Sequence, residues 1–159
     1  MFKKLAIGTL AAAATTAVAL SMPTAAFASS PHADDYSSHW GPVYAKHFQA
    51  KAEGNVEVNW DDDGESNEVH VRGKLWDRDN RSYDDGGKCA YVRFQAEDFD
   101  GDWSPVFWRK YCGYPSFQRF HFEENDVQTL RVQVCQIGLN SKFPTKCGRW
   151  EYIYTNESE

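Results

Sequence analysis

Apolar and polar residues alternate one by one along most of the chain beyond residue 42. A repeat of two belongs to an extended strand, whose successive side chains leave opposite faces. Val69, Val71, Gly73 and Leu75 alternate with Glu68, His70, Arg72, Lys74 and Trp76, and Ala90, Val92, Phe94 and Ala96 with Cys89, Tyr91, Arg93 and Gln95. Leu130, Val132 and Val134 repeat the pattern against Thr129, Arg131, Gln133 and Cys135. Tyr44, Phe48, Ala50, Ala52, Val56, Val58 and Trp60 share one parity across Gly54, which predicts a strand pair or one bent strand. The alternation is less clean around Trp103 to Cys112, Phe117 to Phe122 and Trp150 to Tyr154. Gly, Pro, Asn and Asp collect between these runs, as turns require, and no run has the period of a helix. A strand with one apolar face must bury that face against another sheet. The expected fold is therefore all-β, a two-sheet antiparallel sandwich of seven or eight strands, with a small β-barrel as the alternative.

The N-terminus reads as an export signal. Lys3 and Lys4 precede an uncharged run from Leu5 to Leu20, and Ala26-Phe27-Ala28 supplies a cleavage pattern of small residues. The expected organisation is a signal peptide over 1–28, a flexible polar arm over 29–41, a sandwich domain over 42–155 and a tail over 156–159. The apolar run is too rich in alanine, threonine and glycine for a good membrane span. The first cysteine is Cys89, which leaves none at the cleavage site for a lipid anchor. These features predict a secreted, extracellular protein without a membrane anchor.

Cys89, Cys112, Cys135 and Cys147 are an even set in an exported chain and predict two disulfides. Zinc is the rival reading, but the set contains no close Cys-x-x-Cys pair. Cys89 and Cys135 fall on the polar faces of their strands, and Cys147 shares parity with Arg149 and Glu151. That favours Cys135–Cys147 and Cys89–Cys112, and disfavours the immunoglobulin pattern of two inward cysteines bridging the sheets.

The chain carries 17 Lys and Arg against 23 Asp and Glu, a formal charge of −6, and loss of Lys3 and Lys4 with the leader makes it more negative. This balance speaks against nucleic acid and anionic lipid as partners. In an antiparallel fold the turns at 61–67, 97–102 and 123–127 emerge at one end, with acids and no Lys or Arg among them. Arg78, Arg81, Lys142 and Lys146 fall at the other end. Asp98, Asp100 and Asp102, with Asp61 and Asp63, are candidate ligands for calcium, which takes oxygen donors from flexible loops. The glycine and glutamate spacing of an EF-hand loop is missing, and solvated acidic turns are the competing reading. No cofactor other than this calcium is expected.

Six tryptophans are many for a chain of 159 residues. Trp60 has core parity, whereas Trp40 and Trp103 are expected in or beside loops. Trp76, Tyr91, Arg72 and Arg93 have outward parity. If they share a face, they form an aromatic and cationic patch suited to an extracellular glycan or protein. The competing reading is Arg–Trp stacking within the domain itself. Gly-x-Ser-x-Gly, phosphate-loop and His-Glu-x-x-His motifs are all absent from the sequence. His70 and His121 lie on polar faces, and His32, Asp34, Asp35 and His39 in the arm are a weak chelating set. The expected function is non-catalytic binding, with inhibition of a secreted hydrolase and carboxylate-based hydrolysis as alternatives.

The segments Gly87 to Phe94, Leu130 to Cys135 and Lys146 to Trp150, with the leader and the size, resemble small exported proteins of uncharacterised function found in actinomycetes. That resemblance implies export and no particular activity. Trp108-Arg109-Lys110-Tyr111 is similar to the Trp-Arg-Tyr contact triplet of small amylase inhibitors secreted by streptomycetes, with Lys110 interrupting the triplet. No inhibitory site is carried over.

Overall fold

A computed structural model of the chain describes residues 35–156. The expected signal peptide, the arm as far as Asp34 (with His32) and residues 157–159 lie outside them. The strands are β1 (Tyr36–Tyr44), β2 (Ala50–Trp60), β3 (Asn67–Asp77), β4 (Cys89–Asp98), β5 (Trp103–Tyr111), β6 (Phe117–Asn125), β7 (Val127–Ile137), a two-residue β8 (Pro144–Thr145) and β9 (Glu151–Thr155). One sheet has the order β1-β2-β3-β6. The other has the order β5-β4-β7, with β8 and β9 pairing successive stretches of β7. Every pairing is antiparallel.

The alternation read from sequence is the alternation of burial. Ala50, Ala52, Val56 and Val58 on β2, Val69, Val71 and Leu75 on β3, Val92 and Phe94 on β4, and Leu130, Val132 and Val134 on β7 are all fully buried. Each of these valine, leucine and phenylalanine side chains stabilises the fold by about 1.5–3 kcal/mol, which is why its parity dictates the face. Gly73 lies in the same inward row because a Cβ there would stand 2.5 Å from the Phe120 ring, so no larger residue fits without displacing that ring.

Residues 36–41, expected in the flexible arm, belong to β1. Trp40 is only 4% exposed and meets Phe94 edge-on at 5.6 Å, so it is core rather than loop. The register of β1 against β2 shifts between Trp40 and Val43, across Gly41 and Pro42, and this break hides the strand from a parity reading. Phe48 departs in the other direction. It sits in the 3-10 turn Lys46–Phe48 between β1 and β2, is 64% exposed and leans on Tyr44 at 5.1 Å.

Both disulfides, Cys89–Cys112 and Cys135–Cys147, are those favoured from parity. They fit maturation in an oxidising environment. Two buried polar groups complete the frame. Asn67, at the start of β3, imitates a strand partner for β7 in the opposite sheet: its Nδ2 donates to Val127 O, and Val127 N donates to its Oδ1, both at 2.9 Å. This pair fixes the point where the chain passes from β6 to β7, that is from one sheet to the other, through Asp126 alone. Asp126 takes a left-handed φ of 56°, which a short polar side chain tolerates.

Asp79 organises the connection from β3 to β4. Its side chain is fully enclosed and accepts bonds from Arg81 Nε and Nη2 at 2.8 and 2.7 Å, from Lys88 N at 3.0 Å and from Gln136 Nε2 at 3.1 Å. The Arg81 guanidinium, with these amides, holds the carboxyl well below the usual aspartate range. Burial pushes the neighbouring Asp77 the other way, upward.

Asn67→Ala is expected to lower stability by about 2–3 kcal/mol, since it strands the Val127 amide and carbonyl without partners. Chemical denaturation measures this. Asp79 stabilises the fold fully above the unfolded aspartate pKa of about 3.9, and the contribution is lost as pH falls toward its depressed folded value. Asp77, with a raised value, has the opposite sign: its favourable contribution is present at low pH and is lost as pH rises through that value. Melting temperature is therefore expected to fall more steeply between about pH 4 and pH 2 in the wild type than in Asp79→Asn.

Candidate functional site

Cross-strand partners in an antiparallel sheet point to the same side, so the register of β5, β4 and β7 gives the outer face of the five-stranded sheet row by row. Arg93 lies between Trp108 and Gln133, Gln95 between Pro105 and Arg131, and Glu97 between Trp103 and Thr129. Arginine and glutamine thus exchange strands in successive rows. Arg93 donates from Nε and Nη2 to Gln133 Oε1 at 3.0 and 2.7 Å, and Arg131 donates in the same way to Gln95 Oε1 at 3.1 and 2.8 Å. Gln133 Nε2 in turn donates to Gly148 O at 2.8 Å, which ties down the segment carrying Trp150.

The locked guanidinium planes are interleaved with rings. Arg131 lies 3.7 Å from the centroid of Trp103 and 4.8 Å from that of Trp150, and Arg93 lies 5.0 Å from Trp150. Tyr91 stacks on Trp108 at 6.1 Å beyond Arg93, and Tyr152 meets Trp103 edge-on at 6.3 Å at the opposite end. The inner members are half-buried, whereas Trp108 and Tyr152 at the two ends are 64% and 62% exposed. Burial raises the Tyr91 hydroxyl above its ordinary pKa, so it remains a neutral phenol at physiological pH. The result is a stiff strip with two open ring faces, backed by cations whose donors point into the sheet.

Tyr91 and Arg93 belong to this strip, but Trp76 and Arg72 do not. They lie on β3, in the other sheet, whose outer face points away from that of β4. The four-residue patch expected from parity is therefore not formed: outward parity names a side of a strand, and β3 and β4 are outward on opposite sides of the sandwich. Trp76 is occupied within the domain, by a lysine and a ring rather than the arginine of the competing reading. Lys51 Nζ lies 4.0 Å over its ring and Phe117 packs beside it at 5.4 Å.

Sequence reasoning missed Trp103, Trp108, Arg131, Trp150 and Tyr152 as members of one face. Trp103 and Trp108 are an odd number of residues apart and in a regular strand would face opposite ways. A register shift opposite Phe94 and Gln95 brings both outward. In the segment Trp108 to Tyr111, Trp108 and Lys110 lie opposite the outward Arg93 and Tyr91, whereas Arg109 and Tyr111 lie opposite the buried Val92 and Ala90. The four residues therefore do not form a common contact surface.

The acidic end is as expected: the turns after β2, β4 and β6 emerge together, since Glu68 pairs with Asn125 and Asp98 with Val127. Three of its carboxylates are engaged by their own loops. Asp98 Oδ1 accepts from Asp100 N and Asp102 N at 3.0 and 2.9 Å, Asp61 Oδ1 from Ser66 N at 3.0 Å, and Asp63 Oδ1 from Glu65 N at 3.1 Å. Asp98, Asp100, Asp102, Asp61 and Asp63 do not converge as a ligand set. Among the described residues the one group of three with ligand atoms within 4.8 Å is Glu68, His70 and Glu123, at the edge of that end. There His70 bridges the two carboxylates, with 3.3 Å from each ring nitrogen.

Comparison with models of known protein families and with curated proteins gave no match.

Arg131→Lys is expected to cost about 1–2 kcal/mol of stability, because an ammonium cannot reproduce the paired donation to Gln95 or fill the space between two indoles. Urea denaturation gives the cost, and a shift in tryptophan emission reports the opened strip.

Proposed function

We propose that this is an exported, non-catalytic binding protein whose five-stranded sheet lays its aromatic strip along a neutral extracellular polysaccharide. The observation that carries this reading is the pair of open rings, Trp108 and Tyr152, held on a face that is already rigid. A flat ring matches the apolar face of a sugar. Rings fixed on a sheet lose little entropy when a ligand arrives, so more of the stacking energy appears as affinity. Trp103, beside Tyr152, and Trp108 are separated along β5 by about 17 Å, at roughly 3.3 Å per residue, which suits several sugar units rather than one.

Trp, Tyr and Arg are also the residues that dominate protein interfaces, which keeps a protein partner as the second reading. The order of the rings favours the polysaccharide: Trp108, Trp150, Trp103 and Tyr152 follow one another along the strip, as sugar units do along a chain. The leader read at the N-terminus and the two disulfides support export. Inhibition of a hydrolase would use the same strip, with Trp108 on the edge strand as its most accessible residue.

Co-sedimentation with insoluble cellulose, chitin and xylan tests the proposal. Binding to at least one is expected, with Trp108→Ala and Tyr152→Ala each weakening it about tenfold, the equivalent of about 1.4 kcal/mol. The fold is unaffected, because both side chains are mostly outside it. No binding to any neutral polymer, or full binding by the double variant, would overturn the reading.

A further inference from the structure

The outer face of the four-stranded sheet carries a different kind of site. A groove of about 590 Å³ runs across its middle, floored by the backbone of Gly54, Gly73 and Phe120. Two rows of outward side chains border it. His39, Asn55, Arg72 and His121 share one row, and Glu53, Lys74 and Arg119 the other.

The charges in these rows are not arranged for stability. Lys74 and Arg119 are direct cross-strand partners, with Glu53 on the other side of Lys74. Like charges placed opposite one another destabilise a sheet. None of the ion pairs among the described residues relieves them: Glu53, the one acid in the groove, is engaged by Lys51 at 3.1 Å, and the remaining pairs are Glu68–His70, His70–Glu123 and Arg81–Asp79. Arg72, Lys74 and Arg119 are all exposed. A chain with an excess of acids thus gathers three cations without an ion-pair partner around one hollow, Lys74 and Arg119 leaning over the Phe117 ring at 5.0 and 5.8 Å. A ligand that brings its own negative charge removes the repulsion that the sheet leaves in place.

The floor decides which anion. The bare backbone of Gly54 and Gly73 offers Cα carbon rather than side-chain donors, so a fully hydrated phosphate gains little by entering. A ring with a carbon face and a carboxylate at its edge meets both floor and rim. We propose that this groove binds uronic-acid units of an acidic polysaccharide, with Arg72, Lys74 and Arg119 holding the carboxylates. The site is independent of the aromatic strip, which lies on the opposite side of the sandwich.

Affinity electrophoresis of the purified protein in gels containing polygalacturonate, dextran, dextran sulfate or DNA tests the assignment. Retardation by polygalacturonate and not by dextran is expected, weakening as salt rises. The Arg72→Ala/Lys74→Ala/Arg119→Ala variant should lose at least tenfold in affinity while its melting temperature holds or rises. Trp108→Ala should be retarded like the wild type, so that failure here and failure of the neutral-polymer reading are distinguished. Absence of retardation, or undiminished retardation of the triple variant, would overturn the proposal. Equal retardation by dextran sulfate or DNA would reduce the groove to a general polyanion surface and overturn the uronate assignment.

Discussion

The molecule is built around the closure of two apolar faces on Phe94. This side chain, without solvent exposure, meets Trp40 at 5.6 Å, Phe107 at 6.0 Å, Phe120 at 5.7 Å and Phe122 at 4.9 Å, so that rings from β1, β5 and β6 converge on β4. Every other placement follows. Once one parity of each strand is committed to this centre, the other parity must face outward, and the chemistry available to partners is whatever the sequence has left there.

The two outer faces have been used differently. On the outer face of the five-stranded sheet Arg93 and Arg131 are each satisfied by a glutamine and covered by indole, so positive charge is spent on holding rings in place. On the four-stranded sheet Arg72, Lys74 and Arg119 are left without ion-pair partners around a hollow. The same residue type therefore acts as scaffold on one side and as an open charge on the other. Only the partners contributed by neighbouring strands distinguish Arg93 from Arg72, which have equal outward parity in the sequence.

That difference marks the limit of what the sequence disclosed. Inward residues of β2, β3, β4 and β7 were legible because regular strands translate parity directly into burial, and both disulfide pairings followed from the same rule. Trp40 was misplaced, and Trp103 and Trp108 were not joined to one face, where the register slips, since one irregular residue reverses the sense of parity beyond it. Trp76 and Tyr91 were grouped wrongly for another reason. Parity carries no information about which sheet a strand joins, and the passage from β3 to β4 is a change of sheet. The acidic end was legible because alternating direction alone puts those turns together. Whether their oxygens converge depends on loop amides such as Asp102 N, which bind Asp98 and which no spacing rule reveals.

Because the strip and the groove look out from opposite sides of a two-layer body, a single flat surface meets one of them at a time. With sheets packed about 10 Å apart, the distance between the two outlooks is set by the core and does not flex. On the proposed reading, engagement of both sides would join two unlike polymer layers at a constant gap, like a rivet, and its effect on a matrix would be felt as stiffness.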